Sequence, residues 1–241
     1  MSQHVGNEAP SETVLALARG RAVRPVWRNE LGMLTWQIGV GAEREFVKDG
    51  WHHRSFEPEA EAQRLRWLAP FVDVPEVIDI GVTDTAQIWL RTRGLPGDSA
   101  VAPHNIARAA VIVPALGEAL RLFHDRVPVA SCPFSWRIED RVDAHLLPPE
   151  LDNAPAEDDL VVCHGDACNP NFLFAETGRA TGYVDVGSAG VADRYADLAP
   201  ALLSLGWNFG PHWQDAFLAG YGLQEVDDGK LAWYQWFWEQ G

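Results

Sequence analysis

Val161-Val162-Cys163-His164-Gly165-Asp166-Ala167-Cys168-Asn169-Pro170-Asn171-Phe172-Leu173-Phe174 ends a β-branched run, passes through a polar loop and resumes an apolar run. The pattern reads as a strand, a loop and a second strand. Fourteen residues after Asn171 comes another acid, in Gly182-Tyr183-Val184-Asp185-Val186-Gly187. Asp and Asn in such a loop have two readings. Their side chains can simply cap turns, or they can present carboxylate and amide oxygens to a reaction that gathers negative charge.

The Asp166-to-Asn171 spacing equals the Asp-to-Asn spacing of the kinase catalytic loop H-R-D-x-x-x-x-N, and Asp185-x-Gly187 stands where D-F-G would follow. Phosphoryl transfer explains that spacing. It needs one carboxylate beside the attacking hydroxyl. It also needs a carboxylate and an amide oxygen to hold Mg²⁺ against the nucleotide phosphates, because charge spreads over the transferred oxygens. His-Gly-Asp-Ala-Cys-x-Pro-Asn, then Gly-Tyr-Val-Asp-Val-Gly, then Gly190-Val191-Ala192-Asp193-Arg194-Tyr195-Ala196-Asp197-Leu198-Ala199 together resemble the aminoglycoside phosphotransferase family, in particular its 3′-phosphotransferase branch. Three linked motifs in order outweigh the turn-capping reading.

The resemblance implies an α+β, two-lobed, protein-kinase-like fold. Residues 1–93 would form a small antiparallel-sheet lobe that binds nucleotide, and 94–241 a larger, mainly helical lobe for catalysis and acceptor binding. The implied activity is ATP-dependent O-phosphorylation of an aminoglycoside or related amino sugar, an antibiotic-resistance reaction, with GTP a possible donor. Mg·ATP would sit between the lobes with Lys48 on its phosphates and Asn171 and Asp185 on Mg²⁺. Asp166 would accept a hydrogen bond from the acceptor hydroxyl and align it with the γ-phosphorus. A kinase for another small hydroxyl metabolite, or a nucleotide-binding pseudokinase, are the alternatives; intact Lys48, Asp166, Asn171 and Asp185 weigh against the second.

Bulk composition agrees with an ordinary globular protein: 241 residues, 47% hydrophobic and 22% charged. The net charge of −15 argues against nucleic acid, which needs a basic footprint. It suits a small cationic, hydroxyl-bearing substrate, or serves only to keep the protein soluble, the reading that charge alone favours. No apolar run approaches the ~20 residues of a spanning helix, so no membrane partner is expected. Met1 to Ser11 lacks the order of a signal peptide. Cys132, Cys163 and Cys168 do not form a disulfide framework, so a cytoplasmic protein, monomer or dimer, is expected. Cys163-His164-x₃-Cys168 could be a zinc fragment, but a second ligand pair is missing.

In order along the chain, Thr13 to Arg19 reads as a short helix. Val23 to Glu30 and Met33 to Ile38 read as strands around Leu31-Gly32, and Arg44 to Lys48 as a third, with Phe46 and Lys48 on one face by the period of two. No G-x-G-x-x-G lies between the first two strands. Pro58 suits the first position of a helix to about Leu68. Glu61, Leu65 and Leu68 share a side of it, so Glu61 can pair with Lys48, with Glu59 as competitor; the family comparison favours Glu61. Val77 to Ile80 and Gln87 to Arg91 are two more strands. Thr92-Arg93-Gly94-Leu95-Pro96-Gly97-Asp98 then breaks periodicity and marks the lobe boundary, where Arg93 and Leu95 would offer backbone groups to an adenine edge.

Pro103 to His124 has helical periodicity, kinked or split at Pro114. His124 reads as a satisfied structural group. Glu150-Leu151-Asp152 and Glu157-Asp158-Asp159 lie in a segment shorter than the helical insertion usual in the resembled kinases. Where the family carries Gly-Arg-x-Gly, this chain has Gly187-Ser188-Ala189-Gly190, and a neutral hydroxyl cannot replace a guanidinium. Helices are expected over Asp193–Leu205, Pro211–Ala219 and Asp228–Glu239, and Trp207, Trp213, Trp233, Trp236 and Trp238 as packing. The resemblance also places Asp193, Glu157, and Glu239 with the Gly241 carboxylate near the acceptor's amines, Asp193 having a structural cap as its other and stronger reading.

Overall fold

The structure is a computed structural model that describes residues 8–29, 32–53, 56–136 and 153–240. The Leu31 half of the first expected turn, the Glu150–Asp152 acids and the Gly241 carboxylate lie outside the described residues. The chain divides into two compact units, Met1–Leu95 and Pro96–Gly241.

The first unit is a five-stranded antiparallel sheet with two helices. Its elements are α1 (Glu12–Ala18), β1 (Val23–Arg28), β2 (Leu34–Ile38), β3 (Glu45–Trp51), α2 (Pro58–Leu68), β4 (Val77–Val82) and β5 (Gln87–Arg93), with strand order β1-β2-β3-β5-β4. Ser11 caps α1, its hydroxyl accepting from the Val14 N–H at 3.2 Å, which satisfies a donor the first helical turn leaves open. Alternation along β3 divides the layers: Val47 is buried with Trp36, Ile38, Val14 and Ala18 in one cluster, while Phe46 and Lys48 point the other way. In register, Lys48 stands opposite Thr35 of β2 and Leu90 of β5, so its backbone is held from both sides. Pro58 begins α2, where a missing N–H costs nothing, and Ala62, Leu65 and Leu68 are its buried stripe. Glu45 is gripped by two guanidiniums, Arg21 Nη2 and Arg91 Nη2, each at 2.6 Å. Burial works to raise its carboxyl, but the hydrogen bonds and charges of Arg21 and Arg91 prevail and hold it below the ordinary range.

The second unit is mostly helical. It contains β6 (Asp98–Ser99), α3 (Pro103–Ile106), α4 (Ala109–Arg126), β7 (Leu160–Cys163), β8 (Phe172–Phe174), β9 (Ala180–Tyr183), β10 (Gly190–Asp193), α5 (Tyr195–Asn208), α6 (Gln214–Tyr221) and α7 (Asp228–Gln240). β10 pairs with β7, and β6, β8 and β9 make a second small antiparallel sheet.

The expected single helix from Pro103 is two. The break falls at Ala107–Arg108, and Pro114 sits inside an unbroken α4. Pro114 is near the start of that helix, so it removes only one intrahelical bond, the one to the Ala110 carbonyl. The carbonyl of Pro114 faces α6 so closely that a Cβ on Gly220 would stand 2.1 Å from it, and a Cβ on Gly117 would stand 2.1 Å from the Phe217 carbonyl. Two glycines therefore let the α4 and α6 backbones touch. Two other boundaries shift: α5 begins at Tyr195, with Asp193 preceding it, and α6 is entered through a 3₁₀ turn at Pro211–Trp213. Among the described residues, no helix is long and apolar enough to cross a membrane.

Candidate active site

In the first unit, Lys48 Nζ lies 2.6 Å from Glu61 Oε1 and 2.9 Å from Oε2. Glu61 is buried and Glu59 exposed, so α2 turns Glu61, and not its neighbour, toward β3. A carboxylate gripping the amine from both oxygens fixes where a flexible four-carbon side chain points.

The expected adenine-edge residues are largely committed elsewhere. The Arg93 N–H donates to the Glu76 carbonyl at 2.9 Å, and the Arg93 side chain pairs with Glu76, Nε to Oε2 at 2.9 Å. The Leu95 carbonyl accepts from Arg44 Nη2. Sequence reasoning counts backbone groups in a loop but not the side chains that reach them.

In the second unit, β7 delivers the chain into His164-Gly165-Asp166 and a short 3₁₀ turn at Asn169–Asn171 returns it into β8. Gly165 has φ +87°, and a Cβ there would stand 2.2 Å from the Ser188 carbonyl; both facts require glycine. His164 is fully buried, with Nε2 3.0 Å from the Val184 carbonyl, and its Nδ1 accepts the Asp166 N–H at 3.3 Å. Asn171 Nδ2 donates to the Asp166 carbonyl at 2.9 Å and to Asp166 Oδ2 at 3.2 Å. The Asn171 amide nitrogen is thus spent on the loop, which leaves its oxygen outside these bonds.

Asp166 Oδ1 is buried and accepts no hydrogen bond of ordinary geometry from the described residues. Burial, and then the negative charge of Asp185, push the Asp166 carboxyl above its usual range. Asp185 itself sits at φ +63°, a left-handed conformation that Asp tolerates but that costs about 1 kcal/mol. Two carboxylates close enough to repel each other and an amide oxygen outside the loop's bonds are hard-oxygen groups of the kind that suits Mg²⁺. Cys168 lies beside the same carboxylate. Burial and that charge push its thiol far up, so it stays protonated.

One helix holds this loop. Asp197, in the first turn of α5, is fully buried and accepts the His164 N–H at 2.6 Å through Oδ2 and the Gly165 N–H at 2.9 Å through Oδ1. His124 Nε2 stands 3.0 Å from the same Oδ2, and its Nδ1 is 2.8 Å from the Tyr221 hydroxyl. Burial would raise the Asp197 carboxyl, yet the His124 and backbone hydrogen bonds hold it below the ordinary range. Further along, Asn169 Nδ2 donates to the Ala201 carbonyl at 3.1 Å and the Asn169 N–H to Ser204 Oγ at 2.9 Å. Residues 197, 201 and 204 fall on one helical face. Asp197 was visible only as part of a motif; its signal was an acid in the first turn of an otherwise apolar helix. His124, Asp197 and Cys163 come close enough to hold a cation, but Asp197 is already saturated by three donors and His124 by two partners.

Of the acids named for the acceptor, Asp193 takes its other reading, a structural cap. It is 0% exposed, accepts the Tyr195 N–H at 3.0 Å through Oδ1 and receives Lys230 Nζ at 2.6 Å through Oδ2. It caps α5 and neutralises a buried lysine, so it has no lone pair aimed at a substrate. Glu157 and Glu239 are exposed. Arg194, a few residues after the Ser188 departure in sequence, pairs with Asp159.

The family model described as "APH: Phosphotransferase enzyme family" matches residues 33–148 and 139–234. An aminoglycoside 3′-phosphotransferase of Streptomyces fradiae is 37% identical over 214 residues, covering 75% of this chain and 78% of that protein. A streptomycin 3″-kinase of Streptomyces griseus is 34% identical over 219 residues, covering 73% and 77%. Among solved structures, an aminoglycoside-3′-phosphotransferase of type VIII superposes with a TM-score of 0.76 at 31% identity, covering 95% of this chain and 97% of that one.

Proposed function

Since the chain belongs to the APH phosphotransferase enzyme family, we propose that it transfers the γ-phosphoryl group of ATP, or of GTP, to a hydroxyl of an aminoglycoside or related amino sugar. Such a reaction blocks the antibiotic and confers resistance, and its nucleotide supply is that of the cytoplasm. The observation that carries the reading is the buried Asp166 Oδ1, which accepts no hydrogen bond of ordinary geometry from the described residues, in a loop that Asn171 and Asp197 hold in place. An acceptor hydroxyl is the donor it lacks.

Lys48, oriented by Glu61, pairs with the nucleotide phosphates. Asn171 Oδ1 and the Asp185 carboxylate are the groups suited to Mg²⁺, which supplies charge neutralisation of the phosphate oxygens when bound. Asp166 receives the acceptor hydroxyl and orients it for in-line attack. With a loose transition state little proton abstraction is needed early, so alignment is the main contribution. The net charge of −15 favours the approach of a cationic acceptor.

The test is nucleotide turnover with Mg²⁺ across a panel of aminoglycosides, with phosphorus NMR of the product to locate the ester. Acceptor-dependent turnover and a phosphomonoester are expected. Turnover on neutral polyols but on no amino sugar would move the protein to metabolite kinases. Nucleotide binding without turnover on any acceptor would make it a pseudokinase.

A further inference from the structure

The sheet of the first unit carries, on the face away from Lys48, a carboxylate that phosphoryl transfer does not use. Val47, Asp49 and Trp51 alternate with Lys48 along β3, so all three turn to the opposite face. Pairing in register puts Leu34 of β2 opposite Asp49 and Gln87 of β5 opposite Trp51, on that same face. Val14 and Ala18 of α1 cover Val47. The helix reaches no further than Asp49, where the Ser11 hydroxyl at its cap donates to Asp49 Oδ2 at 2.7 Å. Beyond that point Trp51 is 59% exposed. Between the cap and the strands lies a recess of about 240 Å³, walled by Ser11, Leu34, Trp36, Asp49, Trp51 and Gln87 among others.

Asp49 is 7% exposed, and the groups that hold it are neutral: the Ser11 hydroxyl, and the Gln87 side-chain amide, which donates to Oδ1 at 2.6 Å. A carboxylate has about four acceptor positions, so each oxygen keeps one. Glu45, on the same strand and the same face, shows the contrast. Two arginines hold its carboxyl below the ordinary range, whereas burial pushes the Asp49 carboxyl above it despite both hydrogen bonds. A buried carboxylate without a cation is costly. A second group on the same wall is also unfilled. Trp36, 1% exposed, has an indole N–H for which the described residues offer no acceptor. The recess thus combines polar capacity that the chain does not use with the apolar surface of Leu34 and an indole at its rim.

We propose that this recess binds a small organic cation, a primary ammonium carried on one apolar ring or short chain, with the ammonium on Asp49 and the apolar body against Leu34 and the Trp51 indole. Size sets the class. A volume of about 240 Å³ lies below the roughly 300–1,000 Å³ of sites for drug-sized ligands, so one ring fits and a multi-ring amino sugar does not. Charge sets the head group, because an ammonium brings three N–H donors and the positive charge that Ser11 and Gln87 lack. Indole is the best of the side-chain rings for a cation, and Trp51 places one at the mouth. The site is separate from the nucleotide. Lys48 and Asp49 are neighbours on β3, but Glu61 grips the lysine on one face of the sheet and the recess opens on the other.

The experiment uses the full chain with benzylammonium as the probe and benzyl alcohol as its neutral match, read by calorimetry and by backbone amide NMR shifts. Benzylammonium should bind with a Kd on the order of 1 mM, the range for a ligand of so few atoms, and shift the amides of Asp49 and Trp51. Benzyl alcohol should bind about tenfold more weakly or worse, the share of a charged hydrogen bond. Asp49→Asn should weaken benzylammonium by a similar factor. Asp49 also ties α1 to the sheet, so where that variant fails to fold Trp51→Ala decides. Its ring is largely exposed, so the melting temperature should hold while Kd rises about threefold, the scale of a surface cation–π contact. Binding should persist with a non-hydrolysable ATP analogue, Mg²⁺ and neomycin all present at saturation. Displacement by the nucleotide or by neomycin would put the amine in one of their sites and overturn the proposal. Equal binding of benzyl alcohol, an unchanged Kd in Trp51→Ala, or no benzylammonium binding in a wild type that binds nucleotide would overturn it too. None of these outcomes depends on which acceptor is phosphorylated.

Discussion

The Asp197 carboxylate and the Gly165 amide meet at 2.9 Å inside the protein, joining the first turn of α5 to the residue before the proposed catalytic acid. A glycine at positive φ has no side chain to fix it, so the carboxylate supplies the restraint. Asp197→Asn keeps the shape but can accept fewer of the three hydrogen bonds and leaves His124 facing an amide. It is expected to cost about 3 kcal/mol of stability, the scale of a damaged buried network, and to lower kcat more than nucleotide KM. Urea unfolding and steady-state kinetics check both. The sign of the pH effect follows from the depressed carboxyl. The folded state binds its proton less readily than the unfolded chain, so this stabilisation is complete above the ordinary Asp value, roughly pH 4, and is lost as pH falls below it through the folded value. Wild type should weaken steeply on acidification below about pH 4, and Asp197→Asn less steeply.

Asp166→Asn should reduce kcat by about 10² or more, the scale of a lost alignment group, with Mg·ATP affinity within a few-fold of wild type. The amide keeps the Oδ1-side volume but brings an N–H where an acceptor is needed. Near-wild-type kcat would remove Asp166 from the acceptor site.

Metal dependence separates Asp185 from Asn171. Both Asp185→Ala and Asn171→Ala should raise the Mg²⁺ concentration for half-maximal rate, Asp185→Ala by more, since it removes a charge as well as an oxygen. Asn171→Ala also releases two hydrogen bonds to Asp166, so it alone should lower kcat at saturating Mg²⁺ through the loop. Unaltered Mg²⁺ titration in Asp185→Ala would exclude it as a ligand.

Lys48→Ala should raise nucleotide KM by about tenfold or more, the loss of a charged hydrogen bond. Glu61→Gln should give a smaller rise, because the amine remains but is gripped less firmly. If Glu61→Gln matched Lys48→Ala, the carboxylate would have a role beyond orienting the lysine.

Much of the fold was legible where local chemistry decides. Pro58 followed by apolar residues at helical steps reads directly as α2, and the period of two puts Phe46 with Lys48. Tertiary contact hid the rest. Pro114 reads as a helix breaker, but near a helix start it forfeits one bond, and its carbonyl packs against Gly220 of α6. Asp193 and Asp197 stand one turn apart in the same motif, and their residue types alone do not show which caps the helix and which reaches across to the loop. Arg93 and Leu95 read as open backbone because the groups that engage them, the Glu76 carbonyl just before β4 and the Arg44 side chain just before β3, come from distant parts of the sequence. Trp207 repeats at helical spacing with residues that are core, and only the end of α5, where neighbours run out, leaves it in solvent.

Because Asp197, Ala201 and Ser204 hold the loop along one stripe of α5, loop and helix form a single cooperative unit, linked by bonds that span only about thirty residues of chain. The loop amides of His164, Gly165 and Asn169 should then exchange with deuterium no faster than the helix core, although a glycine-bearing loop ordinarily exchanges early. The reactive segment opens only when its supporting helix opens. Flexibility for admitting substrates must come from other parts of the molecule, and heat that frays α5 will end activity before the remaining helices have melted.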